Sequence, residues 1–212
     1  MAIRHVFLDW NGTHIDDFPQ AHVAANAVLR SCKLGLVSQN DFLHTIIARS
    51  GDWYAFFQQN GVSLSRDEMR KIYIPAYLEQ VKNIVCIKGV RETIQILHKK
   101  GIRIHLLTAA QRELVHPVLR TVGLRALHHE MHFGVHDKAS CMRNILSARG
   151  ISQHEVAHVG DLPSDVMAGV CTGIHSIGLR TGHVPEKFFT RVRGPWYYAH
   201  SWRDIAKYVL AI

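Results

Sequence analysis

Four short apolar runs recur along this chain, and stretches of helical periodicity lie between them. The runs are Val6-Phe7-Leu8, which ends on Asp9, then Ile102 to Thr108, Val156 to Gly160, and Ile174 to Leu179. Short apolar runs that do not alternate with polar residues suit strands covered on both faces. Between the later runs, Val90 to Lys100 stops at Gly101, Gln111 to Val122 at Gly123, and Lys138 to Arg149 at Gly150. A glycine just past the last periodic residue is a common helix stop, because it adopts the left-handed conformation without strain. Alternation of this kind confines the chain to an α/β class, with a parallel sheet layered between helices on both faces.

The segment from Asp17 to Asn83 breaks the alternation, because it reads as consecutive helices with no buried strand between them. Pro19 suits a first helical turn before Ala21 to Arg30, and Ser65 with Glu68 has capping-box spacing before Met69 to Val81. The expected organisation is an α/β core of residues 1–16 and 84–212 that carries an inserted helical domain of residues 17–83. The aromatic group Trp53, Tyr54, Phe56 and Phe57 is expected to pack in the core of that insertion, with the lining of a substrate pocket as the functional alternative.

Composition excludes several classes. No apolar run approaches the roughly 20 residues that span a bilayer, so a soluble, cytoplasmic protein without membrane contact is expected. Cys32, Cys86, Cys141 and Cys171 are widely spaced and form no CxxC pair, as free thiols in a reducing compartment would be. The formal net charge of +8 is spread along the chain. Its densest basic stretch, Arg191-Val-Arg193 beside Trp196, Tyr197 and Tyr198, is too short for a nucleic-acid stripe. A diffuse positive field instead favours a small anionic substrate.

In open parallel sheets, ligands bind beyond the carboxyl ends of the strands. The polar residues that close the strands therefore belong to one site: Asp9-Trp10-Asn11-Gly12-Thr13, Thr108, Gly160-Asp161 with Asp165, and Lys138 at a helix start. Each alone is ordinary, since such residues also form turns, caps and solvated charges. Together they suit attack by a carboxylate on a phosphate ester, which brings two anions together and so needs a cation. Asp9 and Asp161 suit Mg2+, which prefers one or two carboxylates plus phosphate and water. Lys138 places an ammonium at the positive end of a helix, Thr108 offers a hydroxyl, and backbone N–H groups near Gly12 and Ala109 are candidate donors to phosphoryl oxygens. Asp165, one turn into the following helix, is placed to hold a metal-bound water or to orient Lys138.

In order and placement these residues resemble the four motifs of the haloacid dehalogenase superfamily. Asp9-Trp10-Asn11-Gly12-Thr13 is similar to its DxDGT motif, Thr108 to its Ser/Thr motif, Lys138 to its lysine, and Gly160-Asp161-Leu162-Pro163-Ser164-Asp165 to GDxxxD. The insertion between the first two motifs resembles the helical cap of the phosphoglycolate phosphatase-like branch. That resemblance implies a three-layer, Rossmann-like core, a cap with hinges near Asp16 and Asn83, and hydrolysis of a small phosphorylated metabolite through an aspartyl-phosphate on Asp9. It further implies Mg2+ held by Asp9, Asp161, Asp165 and the backbone carbonyl of Asn11, with phosphate held by Gly12, Thr108, Ala109 and Lys138.

Asn11 departs from the motif, whose second acid protonates the leaving alcohol in the phosphatases. An amide side chain has no such proton to give. His14 is the nearest candidate substitute, with packing as its ordinary role. Phosphonate-cleaving members also lack the second acid and use a cap lysine, for which Lys33, Lys71 and Lys82 are the candidates, although each reads more simply as a surface charge. A third alternative is a binding or regulatory protein with weak turnover. The crowded His128, His129, His132 and His136 find no acid or cysteine to complete a tetrahedral metal set, and are expected to be solvated loop histidines. Neither the substrate nor the oligomeric state can be read from these residues.

Overall fold

A computed structural model of the chain describes residues 2–48, 52–181 and 183–212. Met1, Arg49, Ser50, Gly51 and Gly182, which fall within the two expected domain ranges, lie outside the described residues. A six-stranded sheet is built from β1 (His5–Leu8), β4 (Arg103–Leu107), β5 (Glu130–His132), β6 (Val156–Gly160), β7 (His175–Leu179) and β8 (Tyr197–Ala199). Its order is β5-β4-β1-β6-β7-β8, and every pairing is parallel.

Residues alternate between the two faces of each strand. On one face Val6, Leu8, Ile104, Leu106 and Val159 pack against the helices Val90–Lys99 (α5), Arg112–Thr121 (α6) and Trp202–Ala211 (α9). On the other, Phe7, Leu107 and Val156 pack on Met142 and Leu146 of Lys138–Arg149 (α7). Pro163–Thr172 (α8) covers that same side next to α7. The three-layer α/β arrangement expected from the alternating runs is thus the observed one. The expected core strands and helices are present within a residue or two at their ends; β8 and α9 are not among them, although Ser201 caps α9 and Trp202, Ile205 and Val209 recur there at helical spacing.

Between Asp17 and Asn83 the described residues form four α-helices, Phe18–Ser31 (α1), Gln39–Ala48 (α2), Trp53–Gln59 (α3) and Arg66–Glu79 (α4). Ser65 and Glu68 do form a reciprocal capping box at the start of α4. These helices enclose an apolar cluster of their own, in which Phe42, Phe56, Phe57 and Met69 are buried. The chain leaves the sheet layer through Ile15–Asp16 (β2) and returns through Val85–Cys86 (β3), and these two segments pair antiparallel as a narrow ribbon. Among the described residues no helix is long and apolar enough to cross a membrane.

Candidate active site

The strand order brings the candidate residues together. From β1 the sheet extends through β4 to β5 on one side and resumes with β6 on the other, so the reversal falls beside β1. Asp9, Thr108 and Asp161 each follow the last residue of a strand, and those strands, β1, β4 and β6, are neighbours. All three residues are buried at the base of a cavity of about 890 Å³, closed on its far side by residues of α1 to α4.

Lys138, the first residue of α7, reaches into this cluster. Its Nζ donates to Asp9 Oδ1 at 2.7 Å and to Asp165 Oδ1 at 2.6 Å. Burial disfavours its charge, but the two carboxylates outweigh that effect and raise its pKa. Asp165 also accepts the Leu162 N–H through Oδ2 at 3.1 Å, which seats its carboxyl at the start of α8. Asp161 lacks contact with the ammonium and accepts instead from the Thr13 hydroxyl at 3.0 Å. Oxygens of Asp9, Asp161 and Asp165 lie within 4.8 Å of one another. Burial above all, with Asp165 adding to it and Lys138 opposing it, lifts Asp9 to about 6. Burial and then the charges of Asp9 and Asp165 raise Asp161 well above the usual carboxylate range.

Two glycines make room for this crowding. Gly12 has φ +69°, and a Cβ there would fall 2.3 Å from Asp161 Oδ2. At Gly160 a Cβ would fall 2.3 Å from the Asp165 Cβ. The Gly12 N–H is bonded to the Ile15 carbonyl at 3.0 Å within the tight turn after β1, and Gly12 itself lines the cavity. Thr108 Oγ1 accepts from the Ala110 N–H at 3.0 Å, so its own O–H remains to donate, and Ala109 lines the same cavity.

Asn11 points to a residue whose spacing marks only the start of the insertion. Its Nδ2 donates to Asp17 Oδ2 at 2.5 Å, and the Tyr77 hydroxyl donates to the same oxygen at 2.7 Å. Asp17 occupies the N-cap position of α1, yet its side chain makes no cap hydrogen bond. It is buried and lines the cavity, and burial lifts it to about 6 against those two hydrogen bonds. A carboxyl two residues before Pro19 reads in sequence as a helix cap, and its partners Asn11 and the sequence-distant Tyr77 reveal its other use.

His14 does not face the cavity. It is fully buried behind the first turn, with Nδ1 2.5 Å from the Asp9 carbonyl and Nε2 2.9 Å from His128 Nε2. Burial pushes its pKa well down, and its role is to brace the turn. His128 is therefore buried rather than solvated, a correction to the loop reading, because the chain after α6 tucks under the first motif. From α9, Trp202 Nε1 donates to the Thr13 carbonyl at 3.1 Å and supports the same turn. Of the insertion's aromatics, Trp53 lines the cavity, Phe56 and Phe57 are core, and the Tyr54 ring lies 4.4 Å beneath Arg66. Arg66 and Arg70 also line the cavity, whereas Lys33, Lys71 and Lys82 are exposed and do not.

Comparisons with known proteins agree with this geometry. The family description "haloacid dehalogenase-like hydrolase" matches residues 6–179. A phosphoglycolate phosphatase of Haemophilus influenzae is 26% identical over 191 residues, covering 82% of this chain and 84% of that protein. One of Mannheimia succiniciproducens is 23% identical with the same coverage. Among solved structures, CbbY of Rhodobacter sphaeroides in complex with phosphate superposes with a TM-score of 0.81 at 13% identity, over 99% of this chain and 100% of that one. A predicted phosphoglycolate phosphatase of Haemophilus somnus gives 0.79 at 21% identity, over 97% of each chain.

Proposed function

This chain belongs to the haloacid dehalogenase-like hydrolases, and on that premise we propose that it is a Mg2+-dependent phosphatase of small phosphorylated metabolites, acting through an aspartyl-phosphate on Asp9. The observation that carries this reading is the buried trio Asp9, Asp161 and Asp165, with Lys138 as its internal cation, at the base of a cavity open to a small substrate.

The donor set fits Mg2+. Three buried carboxylates share one ammonium and suit a hard, oxygen-seeking cation, and Asp161, whose pKa burial raises, is the member that Lys138 does not reach. Asp9, Asp161 and Asp165, with the Asn11 carbonyl, would hold it. When bound it would neutralise the carboxylates and the phosphoryl oxygens, allowing two anions to approach.

Asp9 is the nucleophile in this reading: its oxygen bonds to phosphorus as the ester P–O bond breaks. Lys138, the Thr108 hydroxyl and the Ala109 N–H hold the phosphoryl oxygens. Asn11 cannot protonate the leaving oxygen, and we assign that step to Asp17, which Asn11 and Tyr77 hold at the cavity wall. Water then releases phosphate from Asp9, with Asp17, now ionised, accepting its proton. Residues 17–83 act as a cap on the core of residues 1–16 and 84–212, with the β2–β3 ribbon as the joint. Arg66 gives the cap side positive charge, which suits a substrate with a second anionic group, whereas Arg70 beside it is paired with Glu113 of α6 at 2.5 Å. The relatives named phosphoglycolate phosphatase carry such a substrate in their name.

Phosphonate cleavage is not favoured, since the three cap lysines stand away from the cavity. The deciding experiment is phosphate release from a panel of alkyl, aryl and acyl phosphates, phosphoglycolate included, with Mg2+ or EDTA. Mg2+-dependent release is expected. No release from any of them would leave a binding protein.

A further inference from the structure

Outside the cavity, three ligand atoms without partners meet where the edge strand β5 lies on β4. His105 is fully buried in β4, three residues before Thr108. In parallel register it pairs with Glu130, and His132 follows two residues later on the same face. His105 Nδ1 lies 3.5 Å from Glu130 Oε2, and His132 Nε2 lies 3.6 Å from that oxygen. All three atoms are buried, and none has a hydrogen-bond partner among the described residues. These separations are long for hydrogen bonds. They suit neighbouring ligands of one tetrahedral ion, whose bonds of about 2.0–2.2 Å set ligand atoms roughly 3.4 Å apart.

The surroundings hold the groups in ligating form. His105 Nε2 is 3.1 Å from His5 Nδ1, and its ring stacks on Phe7 with centroids 4.6 Å apart. With the shared N–H on His105 Nε2, its Nδ1 keeps a lone pair aimed at the cluster. Burial disfavours the charged form of both imidazoles, His105 being lowered to about 4. Arg149, at the end of α7, pairs with the other Glu130 oxygen, Oε1, and so leaves Oε2 free while holding the carboxyl below its usual range. The same guanidinium opposes a cation nearby, and therefore limits affinity rather than supplying it.

We propose that His105, Glu130 and His132 form a site for one zinc-class divalent ion, separate from the acid cluster at Asp9, that pins the edge strand β5 to β4. Two imidazoles and one carboxylate favour a borderline ion such as Zn2+ over Mg2+, whereas the all-oxygen trio at Asp9 favours the reverse. Because β5 passes directly into the loop that leads to Lys138, the clamp would also steady the catalytic lysine.

The test uses the untagged full chain, stripped with EDTA and titrated with Zn2+ or Co2+ in excess Mg2+. One equivalent should bind, Co2+ should give the visible absorption of tetrahedral N/O coordination, and Zn2+ should raise the thermal midpoint. Asp161→Asn should keep all three effects. His132→Ala, at a half-buried position, should lose them, as should Glu130→Gln, and His5→Phe should weaken binding about 10- to 100-fold. Failure of the wild-type chain to bind Zn2+ would overturn the proposal, as would binding that survives His132→Ala and disappears in Asp161→Asn.

Discussion

Asn11 and Asp17 are hydrogen-bonded side chain to side chain, Nδ2 to Oδ2 at 2.5 Å, and Tyr77 from α4 closes on the same oxygen at 2.7 Å. The amide that replaces an acid in the first motif thus holds another acid in place. Asp17 and Tyr77 both belong to the helical insertion and Asn11 to the core, so in the proposed mechanism the Asn11–Asp17 bond links the proton donor to closure of the insertion over the core.

Asp17→Asn should lower turnover of an alkyl phosphate about 100- to 10,000-fold, the usual contribution of a general acid, and that of an aryl phosphate far less, since a phenolate leaves without help. Wild-type turnover of the alkyl ester should fall as pH rises through about 6, where Asp17 loses its proton, and the variant should lack that limb. The double substitution Asn11→Asp, Asp17→Asn exchanges the two groups and should recover part of the alkyl rate. Steady-state rates for both ester types across pH decide the matter; an unchanged alkyl-to-aryl ratio in Asp17→Asn would remove Asp17 from the reaction.

The same residue carries a stability prediction of opposite sign. A carboxyl held at about 6 when folded and near 3.8 when unfolded favours folding below about pH 4 and loses that contribution as pH rises through 6. Asp17→Asn should therefore be more stable than wild type at pH 8, by up to about 3 kcal/mol, with the gap closing towards pH 4. Urea unfolding at the two pH values measures this.

Asp161→Asn should abolish Mg2+-dependent phosphate release and yet raise the thermal midpoint in EDTA, because it removes one charge from a buried trio that repels itself. Added Mg2+ should raise the wild-type midpoint and leave the variant's unmoved. A lower midpoint for the variant in EDTA would show that the trio is not under mutual repulsion.

Lys138→Met keeps the side-chain length but leaves Asp9 and Asp165 without their cation. The expected loss is about 3–5 kcal/mol at pH 8, as when one partner of a buried pair is removed. The loss should shrink as pH falls, and should do so already above pH 6, because without Lys138 to hold it down Asp9 takes up its proton at a higher pH than the wild-type value of about 6. Adding Asp9→Asn to Lys138→Met should restore much of the stability without restoring activity. Denaturant midpoints for the single and double variants form the measurement.

Beryllium fluoride should bind Asp9 as a phosphoryl mimic, and acid quench during turnover followed by mass measurement should find a phosphoryl group on Asp9; Asp9→Asn should lack both. Gly12→Ala should lose activity despite its small size, because the new methyl falls on the Asp161 carboxylate in a backbone conformation alanine rarely adopts. Inversion of configuration at a chiral phosphorus in the transferred group, rather than the retention that two successive displacements give, would exclude the covalent route.

Whatever depends on local pattern is written in the order of the residues. Apolar runs of strand length, helices stopped by Gly101, Gly123 and Gly150, and the capping box at Ser65 make the alternating core and the helical insertion legible from the chain alone. The strand-closing acids are legible too, because a parallel sheet sends every such residue to one edge. Contacts between residues far apart in the chain were settled by the folded arrangement and by nothing short of it. Tyr77 is 60 residues from Asp17, His128 is 114 from His14, and Trp202 is 189 from Thr13. Whether a histidine braces a turn, as His14 does, or a carboxyl leaves its helix cap to serve a cavity, as Asp17 does, depends on burial by distant neighbours. Burial also sets the desolvation that shifts their protons, and no local spacing encodes it.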